Sequence, residues 1–173
     1  WLLAASVVLG LAAGVAVSWM QPALYSATST GYVVAGNSAT VGDAFAGKNL
    51  AAEKAATYLP LVQSRSVAER IAEDMGLASA SEVACRLKAS NTGVIFHITA
   101  TASSPELAAE LADSAIRATS EEANALETMT VSGENTGYTV VRIVPVELAQ
   151  TPTRPVSPDW TRNLLISLAL GAM

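Results

Sequence analysis

The sequence predicts an α+β fold: a small mixed sheet with helices on one side, one of them longer, flanked by two transmembrane helices of which the second is truncated. Three observations predict it. Both ends of the 173-residue chain are apolar, and the first charge is Asp43. The middle holds period-two runs of β-branched and aromatic residues, the mark of strands. Between them lie amphipathic runs bounded by Ser, Gly and Pro, the mark of capped helices.

Residues 1–20 contain no charge and read as transmembrane helix 1. About 20 apolar residues in a helix cover roughly 30 Å, the thickness of a hydrocarbon core. Trp1 and Trp19 stand near its ends, where amphipathic rings favour the headgroup level. Gly10 and Gly14 form a GxxxG pattern, which allows close helix packing in lipid. The run is too long for a signal peptide's apolar core of about 7–15 residues. Residues 164–173 read as the start of transmembrane helix 2, with Trp160 and Arg162 as interface anchors.

Residues 21–163 form the domain between these ends. Tyr25 to Gly36 has a strand composition, and Gly36 to Gly47 reads as a turn-rich loop. Asn49 opens a helix through Tyr58, which Pro60 ends. Ser66 and Glu69 have capping-box spacing ahead of a helix closed by Gly76. Ser79 and Glu82 repeat that spacing and start a short helix through Leu87. Val94 to Thr101 alternates as a strand. Ser103 or Ser104 then caps a long helix from Pro105 to about Met129. Along it, Glu106, Glu110, Asp113, Arg117 and Glu121 form a polar stripe, with Asp113 and Arg117 an i,i+4 pair. Gly133 to Gly137 is a turn, and Tyr138 to Ala149 a last strand. Pro145 there argues for an edge or a bulge.

Composition narrows the function. Charged residues make up 14% of the chain, against about 25% in typical soluble domains. The net charge of −5 argues against nucleic acid as a partner. The lone Cys85 excludes an intrachain disulfide framework and gives no metal-ligand pattern. His97 lacks an acidic or nucleophilic neighbour at useful spacing, and reads as a half-exposed strand residue. Glu121, Glu122 and Glu127 have the spacing of a solvated helix face more than that of an acid/base pair. Gly42 to Asn49 nearly fits the phosphate-binding pattern G-x-x-x-x-G-K-[ST], but Asn49 replaces the hydroxyl that would bind Mg²⁺. A Gly-rich loop with an Asn cap explains the same residues. The sequence therefore calls for no catalytic residue, no cofactor and no metal.

Before the second apolar end, Pro152, Pro155 and Pro158 recur every third residue within 149–158. That is the period of a polyproline II helix, a stiff and extended spacer. Asn163 follows at the entry to the second span.

These residues complete an ordered set. Pro22-x-x-Tyr25-x-Ala27 follows the first span. Tyr58-x-x-Leu61-x-x-Ser64-x-x-Val67 leads into a helix ending Met75-Gly76-Leu77. Ser104-Pro105 opens a helix with Ala108 and Ala112. Ala149-x-x-Pro152-x-x-Pro155-x-x-Pro158 and Asn163 precede the second span. Over essentially the whole chain, this set resembles the Wzz-type chain-length determinants, the polysaccharide co-polymerases. The short domain is most similar to their CapA-like, Gram-positive branch.

The resemblance implies a multi-pass protein of the cell membrane with its domain extracytoplasmic. Arg154 and Arg162 on the domain side count slightly against that orientation, but long loops translocate largely regardless of charge. It implies a non-catalytic role in setting the length or export of capsular polysaccharide or exopolysaccharide. It implies a homo-oligomer working with a polysaccharide polymerase, its lipid-linked repeat units, and a cytoplasmic tyrosine kinase, fused or separate. A second class, a membrane-anchored sensor or ligand-binding domain, shares the two spans. That class requires neither the proline ladder nor Gly10 and Gly14.

Overall fold

The computed structural model describes residues 1–35, 41–131 and 141–172. The turn expected at 133–137 and the start of the last expected strand lie outside them. In chain order the elements are α1 (Leu2–Met20), β1 (Tyr25–Ala35), α2 (Val41–Thr57), a 3-10 turn (Leu59–Gln63), α3 (Arg65–Asp74), α4 (Ala80–Arg86), β2 (Leu87–Thr92), β3 (Ile95–Ala102), α5 (Pro105–Val131), β4 (Val141–Glu147) and α6 (Trp160–Ala172).

The α+β class holds, with a correction to the sheet. Its order is β2-β3-β1-β4, and every pair is antiparallel, where a mixed sheet was expected. The mixed expectation overlooked β2. Leu87–Thr92 reads as mere linker because it holds Lys88, Ser90 and Asn91. Yet it turns back on β3 through Gly93, whose φ of +61° lies in the left-handed region that glycine enters cheaply. Inward residues of β1 and β3 alternate cleanly, with Ala27, Ser29, Gly31 and Val33 buried beside Phe96, Ile98, Ala100 and Ala102.

The helices α2 and α5 cover that face. Leu111, Ala115 and Ala118 of α5 are buried as the apolar stripe predicts, and α5 runs for 27 residues. Alanines at 108, 112 and 115 let its backbone lie close to the sheet. Pro145 sits in β4, an edge strand, and the register of β1 against β4 shifts beside it, between Thr30 and Gly31. A residue without an N–H belongs at such a place.

Several local expectations change. Residues 41–47 belong to helix α2, which begins at Val41 rather than Asn49. Ser64, not Ser66, caps α3 by accepting from the Val67 N–H at 3.3 Å, and Glu69 pairs with Arg65 instead of closing a capping box. Ser79 and Ser104 cap as expected, accepting from the N–H groups of Glu82 and Leu107.

Asp113 is the largest change. It does not pair with Arg117, which instead reaches Asp74 at 3.2 Å. Asp113 points inward, where its Oδ1 accepts from the buried Ser29 hydroxyl and from the Ala149 N–H at 2.8 Å. One carboxylate thus joins α5, β1 and the chain that follows β4.

Among the described residues, no helix is long and apolar enough to cross a membrane. At 1.5 Å per residue, α1 measures about 28 Å and α6 about 20 Å, against a hydrocarbon core of about 30 Å. The expected spans are present as helices, and their crossing is taken up below as a proposal.

Removing the Asp113 acceptor leaves a buried hydroxyl and a backbone donor unpaired, each costing about 1–3 kcal/mol. Asp113→Ala is expected to lower stability by about 2–4 kcal/mol in urea unfolding of the full chain in detergent. Asp113→Asn keeps the Oδ1 acceptor and is expected to cost clearly less. Equal losses in the two variants would count against this role.

Candidate functional site: the helix pair and the strap that feeds it

Of the sequence-selected residues, Pro152, Pro155, Pro158, Asn163 and Gly14 lie along the strap and the helix pair that it enters, and Gly10 lies one turn beyond Gly14 on α1. The chain leaves β4 and runs outside regular structure from Leu148. Ala149 is fixed by Asp113 and packs with the Ala27, Ala102, Ala108 cluster. The segment then descends beside the start of β1. Pro152 is half-buried, Pro155 exposed, and Pro158 half-buried behind a cis Ser157–Pro158 peptide.

At the foot of the domain this strap meets the chain coming the other way. The Val156 N–H donates to the Leu24 carbonyl at 2.7 Å, and the Leu24 N–H donates to the Ser157 carbonyl at 3.1 Å. Entry and exit are therefore hydrogen-bonded neighbours.

Helix α6 starts directly afterwards. Asp159 caps it, its carboxylate accepting from the Arg162 N–H at 3.0 Å. Asn163, one turn in, donates its amide to the buried Ser18 hydroxyl at 2.9 Å and to the Gln21 side-chain oxygen at 3.1 Å. Ser18 and Gln21 end α1, so Asn163 locks the two helices together at their domain ends.

Further along, Gly14 is buried against α6. A Cβ built on it would lie 2.2 Å from the Ser167 Oγ and 2.7 Å from the Ser167 Cβ. Ser167 in turn donates to the Asn163 carbonyl at 2.8 Å. Gly14 thus packs α1 against α6 of the same chain. Gly10, one turn away, is half-buried.

The remaining candidates do not join this site. The Gly42–Asn49 pattern lies inside α2, so it is no phosphate-cradling loop. His97 is half-buried in β3, its Nδ1 3.3 Å from the Thr30 Oγ1. Cys85 is exposed on α4. Glu121 and Glu122 both reach Arg70, at 2.8 and 3.5 Å. Glu127 is different, because it accepts from the Lys54 ammonium and from the buried Tyr58 phenol, both at 2.7 Å. Burial, then the hydrogen bond to Glu127 and its charge, push Tyr58 well above its ordinary pKa. Partial burial pushes Glu127 up, but the hydrogen bonds from Lys54 and Tyr58 and the Lys54 charge outweigh it and hold its carboxyl below the usual value. This is a clamp between α2 and α5.

Sequence reasoning missed Ser18, Gln21, Leu24, Ser157 and Ser167. Polar residues at 18 and 167 inside apolar runs were the available signal, since a hydroxyl in such a helix usually needs a partner. The Leu24 to Ser157 pairing is made by backbone atoms and leaves no trace in residue types. Comparison with protein-family models finds no match, and comparison with characterised proteins finds no relative in sequence.

Two outcomes follow. Gly14→Ala is expected to force α1 from α6 and lower stability in detergent by about 1–3 kcal/mol, as overpacking does. Ser167→Gly, which removes the clashing atoms, should restore most of it; a Gly14→Ala chain as stable as the parent would refute the close contact.

The clamp sets a pH window. Glu127, with its lowered pKa, contributes stability present above the unfolded carboxylate value and lost as pH falls through the folded one. Tyr58, with its raised pKa, contributes stability present below about pH 10 and lost as pH rises beyond it. Thermal unfolding across pH is expected to show both limbs, with the acid limb shallower in Glu127→Gln. Parallel acid limbs in parent and variant would exclude a clamp through Glu127.

Proposed function

We propose that this chain is a non-catalytic membrane polysaccharide co-polymerase of the Wzz type, controlling the length or export of a capsular polysaccharide or exopolysaccharide. The observation that carries the reading is the closed foot of the domain. Its two ends are paired at Leu24 and Ser157, and each continues at once into one member of a packed helix pair. Such an arrangement suits a domain held upright by two neighbouring spans. The resemblance carried by the proline ladder and Asn163 supplies the choice of function.

In this reading α1 and α6 lie in the cell membrane with the domain extracytoplasmic. A helix of about 28 Å is accommodated by slight local thinning, at fractions of a kcal/mol per Å. The outward side chains of the pair are suited to lipid: Val15, Val17, Leu165, Ile166 and Leu168 are exposed. Trp19 and Trp160 are exposed near the domain end, at the level an aromatic belt takes. The chain assembles as a homo-oligomer beside a polysaccharide polymerase and its lipid-linked repeat units. It passes its state to a cytoplasmic tyrosine kinase, fused or separate.

The strap gives the reading a mechanical part. Pinned at Ala149 above and at Ser157 below, it fixes the domain's height and tilt over the helix pair. Deleting the gene is expected to change the amount or length of the surface polysaccharide, read by gel sizing. An unchanged polysaccharide overturns the proposal. Pro155→Ala softens an exposed part of the strap and is expected to shift chain length at unchanged membrane level of the protein. An unchanged length distribution removes the strap from the mechanism.

A further inference from the structure

One face of the sheet is packed under α2 and α5, and the other is open. None of the residues that the four strands present on that second face is buried. Antiparallel sheets often leave one face in water. This one carries more than a wetted face needs. Its hydroxyls are fixed across strands: Thr28 and Thr99 are bonded Oγ1 to Oγ1 at 2.8 Å, and the Thr30 Oγ1 lies 3.3 Å from the His97 Nδ1. Beside them Tyr32 and Ile95 are register partners, and they stay 44% and 37% exposed. Val144 flanks Tyr32 on β4. An aromatic ring and a branched side chain left in water mid-sheet fit a ligand with an apolar side. The hydroxyls next to them fit a ligand with many hydroxyls of its own. A sugar ring has both, an apolar C–H face and a hydroxyl rim.

Charge narrows the class of sugar. In the helical layer Lys54, Arg65, Arg70, Arg86 and Arg117 each close an ion pair, and Lys48 does not. Exposed carboxylates without an ion pair, among them Glu53, Glu73, Glu106 and Glu110, lie on those helices. On the open face the balance reverses. Lys88 and Arg142 are exposed and close no ion pair among the described residues, and Glu147 is the one carboxylate there. In a chain of net charge −5, an acidic ligand is repelled by the helices and admitted at this face.

Register places the two cations at opposite corners. Lys88 is level with Thr99 and Thr28, and Arg142 with Val34. They are separated by about 20 Å along the strands and about 14 Å across them. The diagonal between them crosses β3 at His97 and β1 at Tyr32, and leaves Glu147 to one side. The fixed hydroxyls and the Tyr32 platform therefore lie along the track whose ends are positive. We infer that the open face binds an acidic polysaccharide, laid from Lys88 to Arg142 with a sugar ring on Tyr32. The inference deepens the proposed co-polymerase reading and rests on it for the choice of ligand: the domain itself holds the polymer, and the polymer is an anionic one.

The test measures retention of the full chain, in detergent, on immobilised polygalacturonate, dextran and single-stranded DNA. Polygalacturonate is expected to bind, and more weakly as salt rises. Dextran bound as tightly overturns the acidic class. DNA bound as tightly marks mere attraction between charges and overturns the site. Lys88→Gln with Arg142→Gln is expected to weaken polygalacturonate binding about tenfold, while Lys48→Gln leaves it unchanged. Tyr32→Ala is expected to weaken the binding that remains at high salt. Undiminished binding in the double variant, or equal weakening by Lys48→Gln, overturns the inference. All these positions are exposed, so each variant should unfold thermally as the parent does. Polygalacturonate binding by a chain whose gene deletion leaves the surface polysaccharide unchanged keeps the face and refutes the co-polymerase reading. An altered polysaccharide without any binding refutes the face and keeps that reading.

Discussion

The structure depends on the closure at Leu24 and Ser157. Three backbone bonds, between Leu24 and the Val156–Ser157 segment, bring the start and the end of the domain within one strand spacing of each other. Everything on either side inherits that restriction. Below it, α1 and α6 must begin side by side, and Asn163 converts the adjacency into a fixed rotation by taking Ser18 and Gln21 together. Only with that rotation do Gly14 and Ser167 face each other, at a distance no larger residue tolerates. Above it, β1 rises directly into the centre of the sheet, so the position of the helix pair is transmitted to the strand on which β3 and β4 are both built.

The interior explains why polar ties carry so much of this positioning. Many of the buried residues facing the sheet from α2 and α5 are alanines, among them Ala51, Ala55, Ala112 and Ala115. Each buries little apolar area, and burial is worth about 25 cal/mol per Å². Close approach of the helix backbones compensates by excluding voids around Phe96, Ile98 and Ile116. A sheet and helix packed through small residues can slide more readily than one interlocked by large ones. Asp113 and the Lys54–Tyr58–Glu127 clamp oppose such sliding because their bonds are directional and partly shielded from water.

The legible parts of the fold were those with a period. The alternation in β1 and β3 and the Leu111, Ala115, Ala118 stripe of α5 appear where the residues put them. Gly76, with φ of +64°, ends α3 as read. The illegible parts were those in which a residue had two competing partners. Ser64 and Ser66 both offer a capping hydroxyl, and only the geometry of the preceding 3-10 turn selects Ser64. Asp113 has Arg117 one turn away, but a buried Ser29 hydroxyl outcompetes a solvated cation. Glycines at 42 and 47 suggest a loop, yet both lie in α2, where Gly47 is pressed against the Ala35 carbonyl. At the candidate site the residue types were readable and their partners were not. Asn163 and Gly14 stand out by composition, whereas nothing in the sequence says that they serve the same helix pair.

A GxxxG pattern in an apolar helix invites the reading that it joins one chain to another. Here Gly14 is already consumed within the chain, and Gly10 lies half-buried one turn along the same helix. What the pair leaves outward mixes bulky residues, with Val15, Val17, Leu165 and Ile166 exposed, and small ones, with Ala12, Ala16 and Ala169 exposed. In lipid such side chains gain little by meeting each other, since the acyl chains around them are equally apolar. Close association there needs small residues or polar partners; Gly14, Ser18 and Ser167 are used within the chain, whereas Ala12 and Ala16, one turn apart on α1, are exposed. If the helices stand in a membrane as proposed, the pair is an anchor that sets orientation. On the domain, by contrast, water surrounds the exposed apolar side chains and their burial has a hydrophobic driving force. The closure at Leu24 and Ser157 holds the domain edges at a constant height above that pair.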